Sequence, residues 1–170
     1  SLVPATGRLA VERDAVSLAL LPRDTLDVDS FAGPLRRYRE RLQGGSLPPA
    51  TLSGCLAELH AAAALYTADL LPECYDDWIL PERERFHEDY LWALEQLAVL
   101  AKRWGDDERA LAYAQRLVAA DPLRETAHRE LMRLYHILGR HRAALEQYAA
   151  VRKLLADELG VEPAAATTAL

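Results

Sequence analysis

The side chains best able to bind a metal or to perform catalysis are two cysteines and five histidines. Cys55 and Cys74 supply only half of a four-ligand zinc site, and nothing near them supplies the other half. His136 and His141 are five residues apart across a glycine, so they do not share one helix face as metal ligands at four-residue spacing do. We therefore predict no metal site, and we expect both cysteines to be small packing residues in helices.

The sequence also lacks the motifs of common enzymes. It has no glycine-rich phosphate-binding loop and no HExxH pair, and no nucleophile and base stand out together. We predict that the protein is not an enzyme and has neither catalytic residues nor a cofactor. Its function should then depend on binding a partner.

The net charge limits which partners the chain can bind. It is −6 at pH 7, with a pI near 5.4, so the chain as a whole should be repelled by phosphate backbones. The charge is uneven, however. Residues 73–89 hold seven acids and two arginines, whereas residues 121–142 hold five arginines and three acids. Solvated helix faces are the usual explanation of such blocks, and we predict no nucleic-acid binding by this chain alone.

Membrane and export signals are also missing from the sequence. No segment approaches the ~18 uninterrupted apolar residues of a membrane span. The first residues, SLVPATGRL, lack the basic and apolar regions of a signal peptide. The prediction is therefore no membrane association and, by default, a cytoplasmic location.

The second half of the chain repeats with a period of 34 residues. The recurring pairs are Gly105 and Gly139, Leu97 and Leu131, Ala110 and Ala144, and Leu117 and Val151. This period is typical of the tetratricopeptide repeat, a helix-turn-helix unit whose copies stack into a solenoid and bind partners. A glycine suits the turn after each first helix because it adopts the left-handed conformation without a Cβ penalty. We predict two recognisable repeats and a degenerate one before them.

Capping and breaking residues indicate where the helices begin and end. The predicted spans are 29–42 with Pro34 as an alternative start, 49–67, 81–104, 107–120, and a last hairpin that Gly160 ends. The buried face of the long helix is predicted to consist of Phe86, Tyr90, Leu94, Leu97, Ala101 and Trp104. We also expect Trp78 and Trp104 to pack in the core or between repeats. Contacts between acids and arginines should tie residues 75–85 to the long helix.

The first segment differs from everything that follows. Alternating apolar residues at 8–12 and 15–20 flank Arg13 and Asp14, which predicts a short β-hairpin. A lone hairpin is only marginally stable, so it should pack on the helices or be the remnant of a neighbouring domain. The predicted fold is all-α, with about three tetratricopeptide-like hairpins stacked as a short solenoid behind a small N-terminal β-hairpin remnant.

In stacked repeats the first helix of each pair lines the concave face. The repeat register predicts the following partner-binding residues on that face: Trp92, Lys102, Arg103, Arg129, Arg133 and His136. Apart from Glu95, the charges there are basic, which suits an acidic or amphipathic segment. A solvated face with arginine stems lying along it explains the pattern equally well. Trp92 lies off the main apolar stripe and is the best candidate for a hot spot.

Three stretches of the sequence are similar to a known family. They are ALYTADLLPECYDDWILPERERF at 64–86, DPLRETAHRELMRLYHILGRHRAALEQY at 121–148, and DELGVEP at 157–163. Together they resemble the bacterial transcriptional activator domain (BTAD) of the SARP family, the actinobacterial antibiotic-regulatory proteins. The resemblance covers about residues 29–163 and is far more specific than the repeat period alone. One departure is Gly33-Pro34, which interrupts a first helix that usually runs unbroken in the family.

The resemblance implies a protein-interaction and activation module of a transcription regulator. It implies that the helical domain supports dimerisation and contacts RNA polymerase or another transcription-machinery protein, while an upstream winged-helix domain binds DNA. Residues 1–28 would then be the hairpin and linker that end the upstream domain, residues 29–163 the activator domain, and residues 164–170 the start of a truncated following segment. Two alternatives stay open: a generic cytosolic peptide-binding adaptor, and a ligand-sensing domain, which requires a closed apolar pocket.

Overall fold

The computed structural model describes residues 9–11, 16–18, 27–45, 48–73 and 75–170. Helices make up most of these residues. Their bounds are α1 Asp27–Gln43, α2 Pro49–Leu65, α3 Ile79–Arg103, α4 Asp107–Ala120, α5 Glu125–Ile137, α6 His141–Leu159 and α7 Ala165–Thr168. None of the helices in these ranges has the length and apolar character that a membrane crossing requires.

Two short strands precede the helices, at the place where alternating residues predict a hairpin. β1 (Leu9–Val11) and β2 (Val16–Leu18) pair antiparallel, and Leu9 lies opposite Leu18. The predicted turn between them, residues 12–15, falls outside the described residues, as does Cys74. The prediction for Cys55 is confirmed, because this cysteine is buried in α2.

The first six helices form three antiparallel hairpins that stack in chain order. α1 pairs with α2, α3 with α4, and α5 with α6, while contacts of α2 with α3 and of α4 with α5 join neighbouring hairpins. One apolar core extends from α1 to α5. The prediction of an all-α stack of tetratricopeptide-like hairpins is confirmed.

The 34-residue spacing corresponds to equivalent positions in the second and third hairpins. Gly105 and Gly139 both have a φ of 71°, the left-handed conformation that the turn after each first helix requires. Leu97 and Leu131 are both buried. Ala144 is only half-buried although its equivalent Ala110 is fully buried, because α5 and α6 form the last hairpin of the stack.

Helix α1 begins earlier than either predicted start. It begins at Asp27 and contains Pro34 within its length. Proline removes one backbone hydrogen bond and crowds the carbonyl of Ser30, but Ser30 is exposed, so water can satisfy that carbonyl. Phe31 is buried against the rings of Tyr66 and Phe86, with centroids 5.8 and 5.7 Å away. This packing holds the turn before Pro34 in the helix.

Helix α3 also begins before its predicted start at Pro81. Ile79 is its first residue, is fully buried, and donates its backbone N–H to the carbonyl of Asp76 over 3.1 Å. Pro81 is then the third helical residue, where an N–H would still have no partner within the helix. Arg83 donates to the backbone carbonyls of Leu70 and Leu71, so it ties α3 to the preceding loop through carbonyl groups.

The predictions for two tryptophans are wrong. Trp78 is 60% exposed and Trp104 is 43% exposed. The early start of α3 gives the buried position to Ile79 and leaves Trp78 outside as the residue before the helix. Trp104 follows the last helical residue, where the chain turns at Gly105 and the buried stripe has already ended at Ala101.

Candidate protein-interaction surface

The predicted partner-binding residues all lie on the first helices of the last two hairpins, but they have different environments. Trp92 in α3 is half-buried and is covered by α1. The guanidinium of Arg39 lies 4.1 Å from the centroid of its ring, and the Tyr38 ring centroid is 5.9 Å away. Arg39 is itself paired with Asp89 at 2.6 Å. These contacts within the chain occupy much of the surface that a partner would need.

The two basic residues at the end of α3 also differ from each other. Lys102 forms an ion pair with Glu130 of α5, with 2.5 Å between Nζ and Oε1, and so links the second and third hairpins. Arg103 is exposed and has no ion pair with any described residue. Only Arg103 of this pair is therefore available to a partner.

Arg129 points to a contact inside the chain. Its Nη1 donates to the hydroxyl of Thr167 in α7 over 3.1 Å. Thr167 is buried and donates in turn to Oε2 of Glu125 over 2.6 Å. Both oxygens of Glu125 also accept from the backbone N–H of Ala164, at 3.3 and 3.0 Å. Arg129 therefore helps to fasten α7 to α5.

Arg133 and His136 lie elsewhere on α5 and remain exposed. Arg133 has only a long contact with Glu130, 3.8 Å between Nη1 and Oε2. His136 faces His141 across the Gly139 turn, with ring centroids 5.0 Å apart. The five-residue spacing excludes the two histidines from one helix face. The turn between α5 and α6 nevertheless brings their rings together. No group of three or more metal-ligating side chains occurs in the described part of the chain.

Arg133, His136 and His141 line a groove of about 680 Å³ between α5, α6 and α7. Its apolar side chains include Ile137, Leu145 and Tyr148, and no described Asp or Glu lines it. We call this the C-terminal groove. Leu145 was not predicted from the sequence. One sequence feature could have identified it: Leu145 lies beside the apolar stripe of Ala144, Tyr148 and Val151, and a leucine off that stripe is exposed.

The other arginines of the basic block 121–142 are paired with acids. These are the remaining three: Arg124 contacts Asp121 at 2.8 Å, Arg140 contacts Glu108 at 2.5 Å, and Arg142 contacts Glu146 at 2.7 Å. The hydrogen bonds that Arg124 donates to Asp121, and then to Glu95 and Glu88, raise its pKa above the ordinary value, against the effect of its partial burial. Arg124 thereby fixes the start of α5 against α3.

A second cleft, of about 490 Å³, opens between α1, the α2–α3 loop and the start of α3. Its walls include Phe31, Leu70 and Phe86, together with Tyr66. Burial, followed by the hydrogen bond to Asp69, raises the pKa of Tyr66 above its ordinary value. The cleft is open to solvent, so it does not have the closed shape of a small-molecule sensor site.

Comparison with known sequences assigns residues 26–170 to the family described as "Bacterial transcriptional activator domain". Among similar proteins, the transcriptional regulator RedD of Streptomyces coelicolor is 45% identical over 80 residues, which are 47% of this chain and 23% of RedD. The regulatory protein AfsR of Streptomyces griseus is 30% identical over 165 residues, 96% of this chain and 15% of AfsR. The transcriptional regulatory protein MoaR1 of Mycobacterium tuberculosis is 37% identical over 83 residues, 49% of this chain and 27% of MoaR1. Each match thus spans about a quarter or less of the relative.

The fold also resembles that of a solved structure. The C-terminal tetratricopeptide-containing domain of a putative FK506-binding protein from Plasmodium falciparum superposes with a TM-score of 0.53. The match covers 81% of this chain and 86% of that domain, at 16% sequence identity. At this identity the likeness concerns the fold alone.

Proposed function

Because the family match covers residues 26–170, this chain belongs to the bacterial transcriptional activator domain family, and from that premise we propose that it is the protein-interaction and activation module of its regulator. The relatives that it matches are named as regulators, and the names of RedD and MoaR1 describe transcriptional regulation. The proposed partner is RNA polymerase or another protein of the transcription machinery. The module brings that partner to a promoter and performs no chemistry itself.

The observation that carries this proposal is the distribution of paired and unpaired basic residues. Arg124, Arg140 and Arg142 are neutralised by acids of the same chain. Arg103 and Arg133 are exposed, with no close ion pair among the described residues. Complementary charge across an interface speeds association and selects the partner. A protein with acidic surface segments therefore fits this side of the stack better than a neutral peptide does.

DNA binding is proposed to belong to a different domain. The chain carries a net charge of −6, which opposes contact with phosphates. We assign residues 1–26 to the hairpin and linker that close an upstream winged-helix domain, and residues 27–163 to the activator domain, because α1 begins at Asp27. Residues 164–170 are assigned to the start of a following segment. The isolated chain should show at most weak, salt-sensitive association with duplex DNA.

A second copy of the chain is a further proposed partner. Tyr75, Trp78 and Leu80 are large, exposed residues close together in the sequence before and at the start of α3. Exposed aromatic residues of this kind are common at the centres of protein interfaces. If this segment supports a homodimer, Trp78→Ala should lower the sedimentation coefficient of the chain at a given concentration, whereas an unchanged value would exclude it from self-association.

A tethering experiment tests the proposed function directly. The chain is fused to an unrelated DNA-binding domain whose site lies upstream of a weak promoter, and transcripts are measured with purified RNA polymerase. The fusion should raise transcription above the level given by the DNA-binding domain alone. A fusion that binds its site and leaves transcription unchanged would contradict an activation role and favour the general peptide-binding adaptor.

A further inference from the structure

The stack of hairpins defines a place where a helix fits. The first helix of the third hairpin, α5, packs on α4 of the second hairpin, and its Glu130 reaches Lys102 of α3. The third hairpin, α5 with α6, has a corresponding surface on its outer side, and the C-terminal groove lies on that surface. Among the described residues, a single helical turn packs there against α5, namely α7 from Ala165 to Thr168. The groove therefore has the shape of a site for a further helix.

The groove exposes more apolar surface than a solvated helix face requires. Leu145 is 72% exposed and Ile137 is 55% exposed, and the two line the groove together with Tyr148. Neighbouring exposed apolar side chains, rimmed by polar ones, are typical of a protein-binding site. A helix with apolar residues at spacings of three and four would cover them with one face.

The charges around the groove indicate the chemistry of that helix. Arg133, His136 and His141 stand on the wall formed by the end of α5 and the start of α6, and no described Asp or Glu lines the groove. The arginines nearest to this wall in sequence, Arg140 and Arg142, are already paired with acids. Acidic side chains on the incoming helix would complement Arg133 and approach the two imidazoles.

We propose that the C-terminal groove binds an amphipathic helix with an acidic polar edge, supplied by another protein of the transcription machinery. The source of the helix rests on the proposed function, whereas its shape and charge follow from the groove. Leucine-like side chains of the partner lie on Ile137 and Leu145, and its carboxylates face Arg133. Contacts of this kind place the partner at the last hairpin and leave the core from α1 to α5 undisturbed.

Two synthetic peptides test the proposal on the full chain. The first is a fluorescent amphipathic helix with leucines at spacings of three and four and glutamates on its polar edge; in the second, lysine replaces every glutamate. Fluorescence anisotropy should show saturable binding of the acidic peptide, at least about tenfold tighter than binding of the lysine peptide. The affinity for the acidic peptide should fall as salt is added, because added ions screen exposed charges.

Matched variants locate the site. Leu145→Glu should weaken binding of the acidic peptide by about tenfold or more, because it removes a proposed hot-spot contact and places a carboxylate against an acidic helix. Leu159→Glu is the control, because Leu159 is another exposed leucine of α6 that does not line the groove. Arg133→Glu and Lys153→Glu form a second pair of the same kind, and only the first should weaken binding. Equal effects within either pair would overturn the proposal.

Further measurements separate this proposal from other occupants and from the proposed function. If Leu145→Glu abolishes self-association of the chain, the occupant is a second copy and the proposal is wrong. If the peptide binds the 170-residue chain but not the longer parent regulator, a segment of the parent fills the groove and the proposal is also wrong. Failure of the peptide to bind while the tethered chain still activates transcription would remove the groove and leave the proposed function intact.

Discussion

Single arginines show how a basic block fits into an acidic protein. Residues 140–142 are all basic and surround the start of α6, where they oppose the helix dipole by about 0.3–1 kcal/mol each at an exposed site. The sequence predicts an anionic neighbour for them, and the structure provides two inside the chain. Glu108 of α4 pairs with Arg140, and Glu146, one turn along α6, pairs with Arg142. These two ion pairs offset the unfavourable interaction with the helix dipole. Arg133 is then the arginine that lines the C-terminal groove.

At the same scale, core and surface positions should differ sharply in stability. Leu97 and Leu131 are buried, so replacing either by Ala should lower the free energy of unfolding by ~2–5 kcal/mol. Arg142 is highly exposed, and its pair with Glu146 within α6 should contribute only about 0.3–0.5 kcal/mol. Urea denaturation of Leu97→Ala, Leu131→Ala and Arg142→Ala checks this. Similar midpoints for the two classes would show that the helical register is wrong.

The pair formed by Arg152 and Glu162 gives a pH-dependent prediction. The hydrogen bond and charge of Arg152 lower the pKa of Glu162 below its ordinary value of 4.5. A depressed folded-state pKa means that the pair stabilises the fold above pH 4.5 and loses this effect as the pH falls through the lower, folded-state value. In an NMR titration, Arg152→Ala should raise the pKa of Glu162. An unchanged midpoint would contradict the pairing.

Residue patterns predicted the buried side chains well where a period applied, and poorly where a contact came from elsewhere in the chain. The 34-residue spacing identified Leu97, Leu131 and the two turn glycines, since each repeat imposes the same environment. It could not indicate that Arg129 bonds to Thr167, because that partner lies 38 residues later in a separate helix. The burial of Trp78 was predicted wrongly because it depends on where α3 begins. The helix begins at Ile79, two residues before the predicted start at Pro81.

Among the elements, α7 depends most clearly on a few polar contacts. It has four residues, and an isolated helix of that length is not stable in water. Glu125 accepts from the backbone N–H of Ala164 and from the hydroxyl of Thr167, while Arg129 donates to the same hydroxyl. These bonds hold α7 against α5 and so form one wall of the C-terminal groove.

Removing the hydroxyl of Thr167 should therefore release α7 from α5. Thr167→Val keeps the size of the side chain but leaves the half-buried Glu125 and Arg129 without their shared partner, at a cost of up to about 1.5–3 kcal/mol, the range for hydrogen bonds to charged groups. Hydrogen exchange should become faster for the backbone amides of residues 167–169, which are hydrogen-bonded to Ala164 and Ala165, and stay unchanged in α3. Thr168→Val is the control, because Thr168 is exposed. Equal exchange in the two variants would show that these bonds do not fix α7.

Helix ends were predictable where the cap is local. Asp106 accepts the backbone N–H of Arg109 over 3.0 Å, and Gly160 ends α6 with a φ of 68°, both at the predicted places. The start of α1 was not predictable in this way. There the ring of Phe31 packs on Tyr66, which follows the end of α2, and on Phe86 of α3, and this distant packing outweighs the local preference of Pro34 to begin a helix.

For the whole molecule, the proposed function requires that unpaired basic residues on the first helices of the last two hairpins, α3 and α5, contact the transcription machinery. Arg103 and Arg133 are the exposed candidates, whereas Lys102 and Arg129 are engaged within the chain. Reversing both exposed charges to Glu should replace attraction with repulsion at the partner and leave the core intact. Arg36→Glu with Lys153→Glu is a matched control on other exposed positions.

The most direct measurement is purified transcription with a regulator that contains its DNA-binding domain. Promoter affinity, helical content and transcript yield are recorded for the wild type, for the Arg103→Glu and Arg133→Glu double variant, and for the control. We predict that the double variant keeps its promoter affinity and helical content but loses activation, while the control activates normally. Activation by the double variant at the wild-type level would show that Arg103 and Arg133 do not make the activating contact.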